Sequence, residues 1–198
     1  VTWIEDGSTT AISHDLDATP QLAIVKAYHD TRAGGPYVTS SNWSVDAPFI
    51  NKRGYFHLNA AFENGLSFGT YSSTSVSNFG GGSEDIKKIA YLFATLDGIS
   101  KVGTYSGTGS NVNVDCGFTA GARFVLIKRT DSSGDWYIWD SARGIVAGND
   151  PYLIVNSDAA EVTNTDYIDP LSSGFTVTSS APAALNTSGG TYLFLAIA

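Results

Sequence analysis

The chain repeats itself, and that limits its fold more than any motif does. At an offset of 102 residues, "TWIEDGSTTAISHDL" (2–16) lies over "TYSGTGSNVNVDCGF" (104–118). Thr2, Gly7 and Ser8 fall on Thr104, Gly109 and Ser110, while Trp3, Ile12 and Leu16 fall on Tyr105, Val114 and Phe118. The same offset carries "ATPQLAIVK" (18–26) onto "AGARFVLIK" (120–128), so that Lys26 meets Lys128. Further on the offset drifts, as loop insertions cause. "YFHLN" (55–59) resembles "YLIVN" (152–156), and "YLFATL" (91–96) resembles "YLFLAI" (192–197). β-Strands look alike in general, but general likeness does not hold one offset over successive segments. The pattern predicts an internal duplication, with one unit at 1–97 and a second at 98–198.

Each half reads as strands. "QLAIVKAY" and "RFVLIKRT" are apolar runs of strand length, and "GGPYVTSS" and "GDWYIWDS" follow them after glycine-containing turns, as hairpins do. "GFTVTSS" (174–180) alternates apolar and hydroxyl side chains, the pattern of a sheet with one solvated face. One segment, "SEDIKKIAYLF" (83–93), carries a helical period with Ser83 as cap. Its counterpart in the second half has no such period, so it is read as strand from Ala90 onward. Short strands separated by frequent turns predict an all-β fold, two tandem antiparallel β-sandwiches of jelly-roll or lectin-like type. A composition with 12% aromatic residues, 21 Gly and only 15% charged residues suits that class.

Charge narrows the function. Nineteen acidic against 11 basic residues give a net charge of −8, with no basic patch for nucleic acid or an anionic membrane surface. Cys116 is the single cysteine, which excludes an internal disulfide. No apolar run approaches the ~18 residues of a membrane-spanning helix. The absence of Met and of a signal-peptide pattern in a chain beginning Val1-Thr2-Trp3 is what a fragment or processed product shows.

Catalytic signatures are weak. His14, His29 and His57 lie outside any nucleophile-elbow context, and Cys116, the counterpart of His14, reads as a small core residue at a strand end. No zinc, metalloprotease or EF-hand spacing occurs, so neither a cofactor nor a metal is expected, a calcium ion between surface loops staying open. "FGGGSED" (79–85) lacks the strand–helix setting of a dinucleotide cradle and reads as a loop. Glycoside hydrolysis needs two acids across a cleft; Asp135, Asp140 and Glu161 are candidates, but sequence does not pair them.

The densest stretch is "ARFVLIKRTDSSGDWYIWDSARG" (122–144). A period of two puts Trp136 and Ile138 on one face and Tyr137 and Trp139 on the other. Aligning "YVTS" (37–40) with "YIWD" (137–140) makes Tyr137 a core position and leaves Trp136 without an aromatic counterpart. Two readings stay open: Trp136 and Trp139 stack on a ligand such as a sugar, or both pack between sheets. Asp140 and Arg143 are either ligand contacts or the ion pair of a turn at a strand end.

These residues carry a family resemblance. Tyr105, Gly107, Gly109, Lys128, Trp136, Asp140, Arg143, Gly144, Asn156, Ala160, Glu161, Asn186, Gly189 and Tyr192 fit the pattern of a domain of ~100 residues repeated in bacteriophage tail and tail-fibre proteins, many of them marine. "TWIEDGSTTAISHDLDATPQLAIVK" resembles the domain that often precedes it. Two departures stand out: Ala122 replaces the usual proline, and the first half has "SSNWS" in place of the aspartate–arginine turn. The resemblance implies a non-enzymatic virion component, a tail, tail-fibre or appendage module on the particle surface. It implies other virion proteins and copies of itself as partners, a trimer in a fibre, and host surface glycans as ligands, with Trp136, Trp139, Asp140 and Arg143 as contacts. The alternatives are a capsid decoration or spacer protein and, last, a polysaccharide depolymerase.

Overall fold

The computed structural model describes residues 2–5, 11–30, 43–64, 69–77 and 86–198. The fold is all-β, built of antiparallel sheets, with helix accounting for only 4%. The chain forms two compact units. The first holds 1–57 and 63–94; the second holds 95–198 and takes the short segment 58–62 from the first half. The sequence reading has one boundary, after residue 97; here the units part at 94/95 and segment 58–62 goes with the second.

In the first unit the strands are β1 (Thr2–Glu5), β2 (Ile12–Ser13), β3 (Leu22–Asp30), β4 (Trp43–Ala47), β5 (Lys52–Tyr55), β6 (Glu63–Asn64), β7 (Thr70–Tyr71), β8 (Ser75–Ser77) and β9 (Ile86–Phe93). One sheet runs β1-β9-β3-β4-β5-β6 and the other β2-β8-β7. Ala23, Val25, Val76 and Ala90 form the core described for this unit. The helical period at 83–93 is overridden: from Ile86 the segment is strand, hydrogen-bonded to β3 on one side and β1 on the other. "GGPYVTSS" and "FGGGSED" lie outside the described residues.

The second unit has β10 (Ser100–Ser106), β11 (Val112–Asp115), β12 (Phe124–Arg129), β13 (Trp136–Asp140), β14 (Leu153–Ile154), β15 (Ile168–Leu171), β16 (Gly174–Val177), the single helical turn α1 (Ala183–Asn186) and β17 (Thr191–Ile197). Its sheets run β10-β17-β12-β13-β14 and β11-β16-β15. Tyr105, Val125, Ile127, Tyr137, Trp139, Phe175, Tyr192 and Phe194 fill the space between them.

Apart from β6, which has no counterpart in the second unit, the two units follow one strand order, and their registers correspond. Thr2 faces Ile89, which faces Lys26; Thr104 faces Leu193, which faces Lys128. Ile12 faces Val76 as Val114 faces Phe175. Across the next hairpin Lys26 faces Trp43, and Lys128 faces Trp136.

That last pair corrects the sequence alignment. Trp43, not Tyr37, is the register partner of the second unit's hairpin start, so Trp136 does have an aromatic counterpart and Asp46 stands where Trp139 does. Two later matches also slip. Ala90 and Phe194 share a register position opposite Val25 and Ile127, so "YLFATL" and "YLFLAI" align by letters three residues away from their pairing. The outcome agrees: Tyr91 is 45% exposed and Tyr192 fully buried. Likewise Tyr55 corresponds to Ile154 rather than Tyr152.

Candidate functional site

The stretch that carries most of the chemistry lies on β13, whose aromatic residues are buried on both faces, with Ile138 and Asp140 half-buried. Trp136 and Trp139 have no exposed surface. Tyr137 and Trp139 point between the sheets, stacked at 5.8 Å and 15°, and Tyr152 closes on them at 5.3 and 5.8 Å. Tyr167 extends the cluster, 5.5 Å from Tyr152. Trp136 faces the other way with Lys128, and the Phe62 ring lies 5.8 Å from it. The period-of-two faces are as read from sequence, but neither is open, because segment 58–62 packs on the outer one. Neither tryptophan offers a ring face to a sugar.

Asp140 and Arg143 form a turn rather than a cleft. One Asp140 carboxylate oxygen accepts the amides of Ala142 and Arg143 at 3.0 and 2.9 Å, and the other pairs with the Arg143 guanidinium. Arg143 Nε also holds Glu161 Oε1 at 2.9 Å. Gly144 leaves this turn at φ +125°, which a side chain would strain. Two of the three candidate acids are thus bound to one arginine. The third, Asp135, accepts from Asn156 Nδ2 at 2.8 Å, while Asn156 Oδ1 accepts the Trp136 amide at 2.8 Å.

The other residues of the resemblance serve the scaffold too. Asn186 uses all four of its amide hydrogen-bonding positions: Oδ1 accepts from Thr108 N and Gly109 N, and Nδ2 donates to Ser110 O and Thr178 O. Tyr105 and Tyr192 stack at 4.8 Å, and their hydroxyls donate to Leu185 O and Ala183 O around α1. A Cβ on Gly107 would stand 2.3 Å from Thr187 O, so only glycine fits that crossing. Lys128 is fully buried, and its Nζ donates to Gly134 O at 2.6 Å and Asn59 O at 3.2 Å, tying segment 58–62 to β12. Burial lowers its pKa to about 8.

Of the nucleophile candidates, Cys116 and His14 are buried. Burial, then the neighbouring Asp115, pushes the Cys116 thiol up to about 12. His14 accepts Leu16 N at Nδ1, and its Nε2 lies 3.1 Å from Ser72 O, so both ring nitrogens meet backbone. The residue that sequence reading missed is Asp150, fully buried at the end of a loop. Its Oδ1 accepts Val146 N at 2.7 Å, its Oδ2 has no partner, and burial followed by Asp169 and Asp166 raises its pKa to about 6. No side-chain pattern announces it, because its one bond is to backbone. Among the described residues, no three His, Cys, Asp or Glu side chains are placed to hold a metal ion.

Two clefts lie among the described residues. One in the first unit, about 630 Å³, lies between the segment leading into β3, the turn after β4, and β7. One in the second, about 400 Å³, lies between the segment leading into β12, the turn after β13, and β15. The two occupy the same place on the shared strand order.

One family model matches residues 1–198, spanning both units, and it describes a domain of unknown function, DUF7483. No curated protein and no solved structure matches the chain. The chain therefore belongs to the DUF7483 domain family.

Proposed function

We propose that the chain is a non-enzymatic structural module of a bacteriophage virion: a tail, tail-fibre or surface-appendage component of two like-built β-sandwich units, assembled with copies of itself and with other virion proteins. The observation that carries this reading is where the phage-type motif residues sit. Asn186, Tyr105, Tyr192, Gly107, Lys128 and Asn156 all hold strands and loops of the second unit in place, and none meets a reacting group. A motif made of such positions specifies a fold to be displayed, not a reaction. The matched strand orders and registers support a repeated unit, as appendage proteins built by duplication carry. The burial of Trp136 and Trp139 favours the spacer or decoration form of this reading over ligand contact at β13. A depolymerase is disfavoured because Asp140 and Glu161 share Arg143 instead of flanking a substrate.

Mass spectrometry of purified particles from the source virus tests the proposal. The expected result is the chain in stoichiometric amount in the particle. Its presence in infected cells but not in particles overturns the reading.

A further inference from the structure

The first-unit cleft differs from its counterpart in what replaces the aromatic core. In the second unit the inner face of β13 carries Tyr137 and Trp139, both buried. In the first unit the register positions are Ser44 and Asp46. Asp46 is fully buried, and its Oδ2 accepts the Tyr71 hydroxyl at 2.5 Å and the Gly69 amide at 3.1 Å. Burying a carboxylate is costly, and a large aromatic ring is what the other unit places there. Tyr71 and Gly69 both line the 630 Å³ cleft, so the carboxylate holds its wall from behind.

We propose that this cleft binds a neutral saccharide, held against the Phe49 ring and the hydroxyl and amide groups of Thr19, Gln21, Thr70 and Tyr71, with Asp46 as the positioning residue beneath. Four features select that class. The volume lies within the range of small-ligand sites, and that of the second-unit cleft is smaller. None of the described lining residues carries a formal charge, so among them an ionic ligand has no counter-charge. Phe49 is 40% exposed at the rim, an apolar face of the kind that packs on the C–H face of a sugar ring. Tyr71 donates its proton to a carboxylate, which strengthens its oxygen as an acceptor for ligand hydroxyls. The second-unit cleft has neither ring: Pro170 stands at the Tyr71 position, and Arg123 brings a charge at the Gln21 position. The saccharide would be a host-surface one if the virion reading holds, but the site stands on its own geometry.

The test is saturation-transfer NMR on the full chain with glucose, galactose, mannose and N-acetylglucosamine and their neutral trisaccharides. At least one is expected to bind, with Phe49→Ala weakening it about tenfold. Tyr71→Phe is also expected to weaken it, since it removes the acceptor oxygen but keeps the ring. Ser141→Ala in the second-unit cleft should leave binding unchanged. The proposal is overturned if no sugar binds, if Phe49→Ala binds as well as the parent, or if Ser141→Ala abolishes the signal. Saccharide binding by a chain that particle analysis fails to find in virions would sink the virion reading and leave this one standing.

Discussion

At the residue scale the second unit depends on a few polar side chains whose partners are backbone atoms. Asn186 is the strongest case, because it is itself buried and its removal leaves the amides of Thr108 and Gly109, part-buried at the bond, without their acceptor. Asn186→Ala should destabilise the protein by about 3 kcal/mol, read by chemical denaturation. A loss below about 1 kcal/mol would mean water replaces the side chain. Asp150 supplies a pH signature. Its folded pKa is raised from 3.8 to about 6, so the folded state holds its proton more tightly than the unfolded state. The stability this contributes is present below the unfolded pKa and is lost as pH rises from about 4 to about 6. Asp150→Asn, which keeps an oxygen for Val146 N, should be more stable than the parent at pH 7 by roughly 1–2 kcal/mol and equal to it at pH 3.5. Denaturation at both pH values checks the crossover. Sequence shows which of these residues belong to a pattern, yet not what they do. Lys128 reads there only as the end of an apolar run, since the carbonyls of Asn59 and Gly134 that hold it leave no mark in a side-chain pattern.

At the scale of elements, β13 shows both what was legible and what was not. The core side of Tyr137 rests on aligning "YVTS" with "YIWD", a match the pairing does not keep, whereas the strand and its period of two follow from alternation alone. The burial of Trp136 does not, because it depends on segment 58–62 returning from the first half with Phe62 against the indole. Lys128 and the Phe62 amide, bonded to Thr130 O, fasten that segment. Lys128→Met should speed hydrogen exchange at the Phe62 and Gly134 amides while leaving the β3 amides unchanged; uniform protection would show that the lysine clasp is dispensable. The turn after β13 should behave otherwise. Arg143 and Glu161 are more than a third exposed, so Arg143→Ala should cost no more than about 1 kcal/mol in thermal or chemical unfolding. A larger loss would mean the Asp140–Arg143–Glu161 set acts as one unit.

At the scale of the molecule, the central claim is that two units share one plan of strands and registers, with the second filled by aromatics and the first hollowed over a buried carboxylate. The 102-residue offset is legible as far as β3 and β12, because no insertion precedes them; after them letter matching loses the register, by seven residues at β4 (44 − 37) and by two or three at β5 and β9. Chain length between strands, not side-chain identity, sets where the pairing resumes. The most direct test is the pattern of cross-strand nuclear Overhauser contacts in the isotope-labelled chain. This account predicts that Val25 faces Ser44 and Lys26 faces Trp43, as Ile127 faces Tyr137 and Lys128 faces Trp136. A register with Tyr37 opposite Val25 would restore the alignment by letters, remove Asp46 from the place of Trp139, and contradict the account.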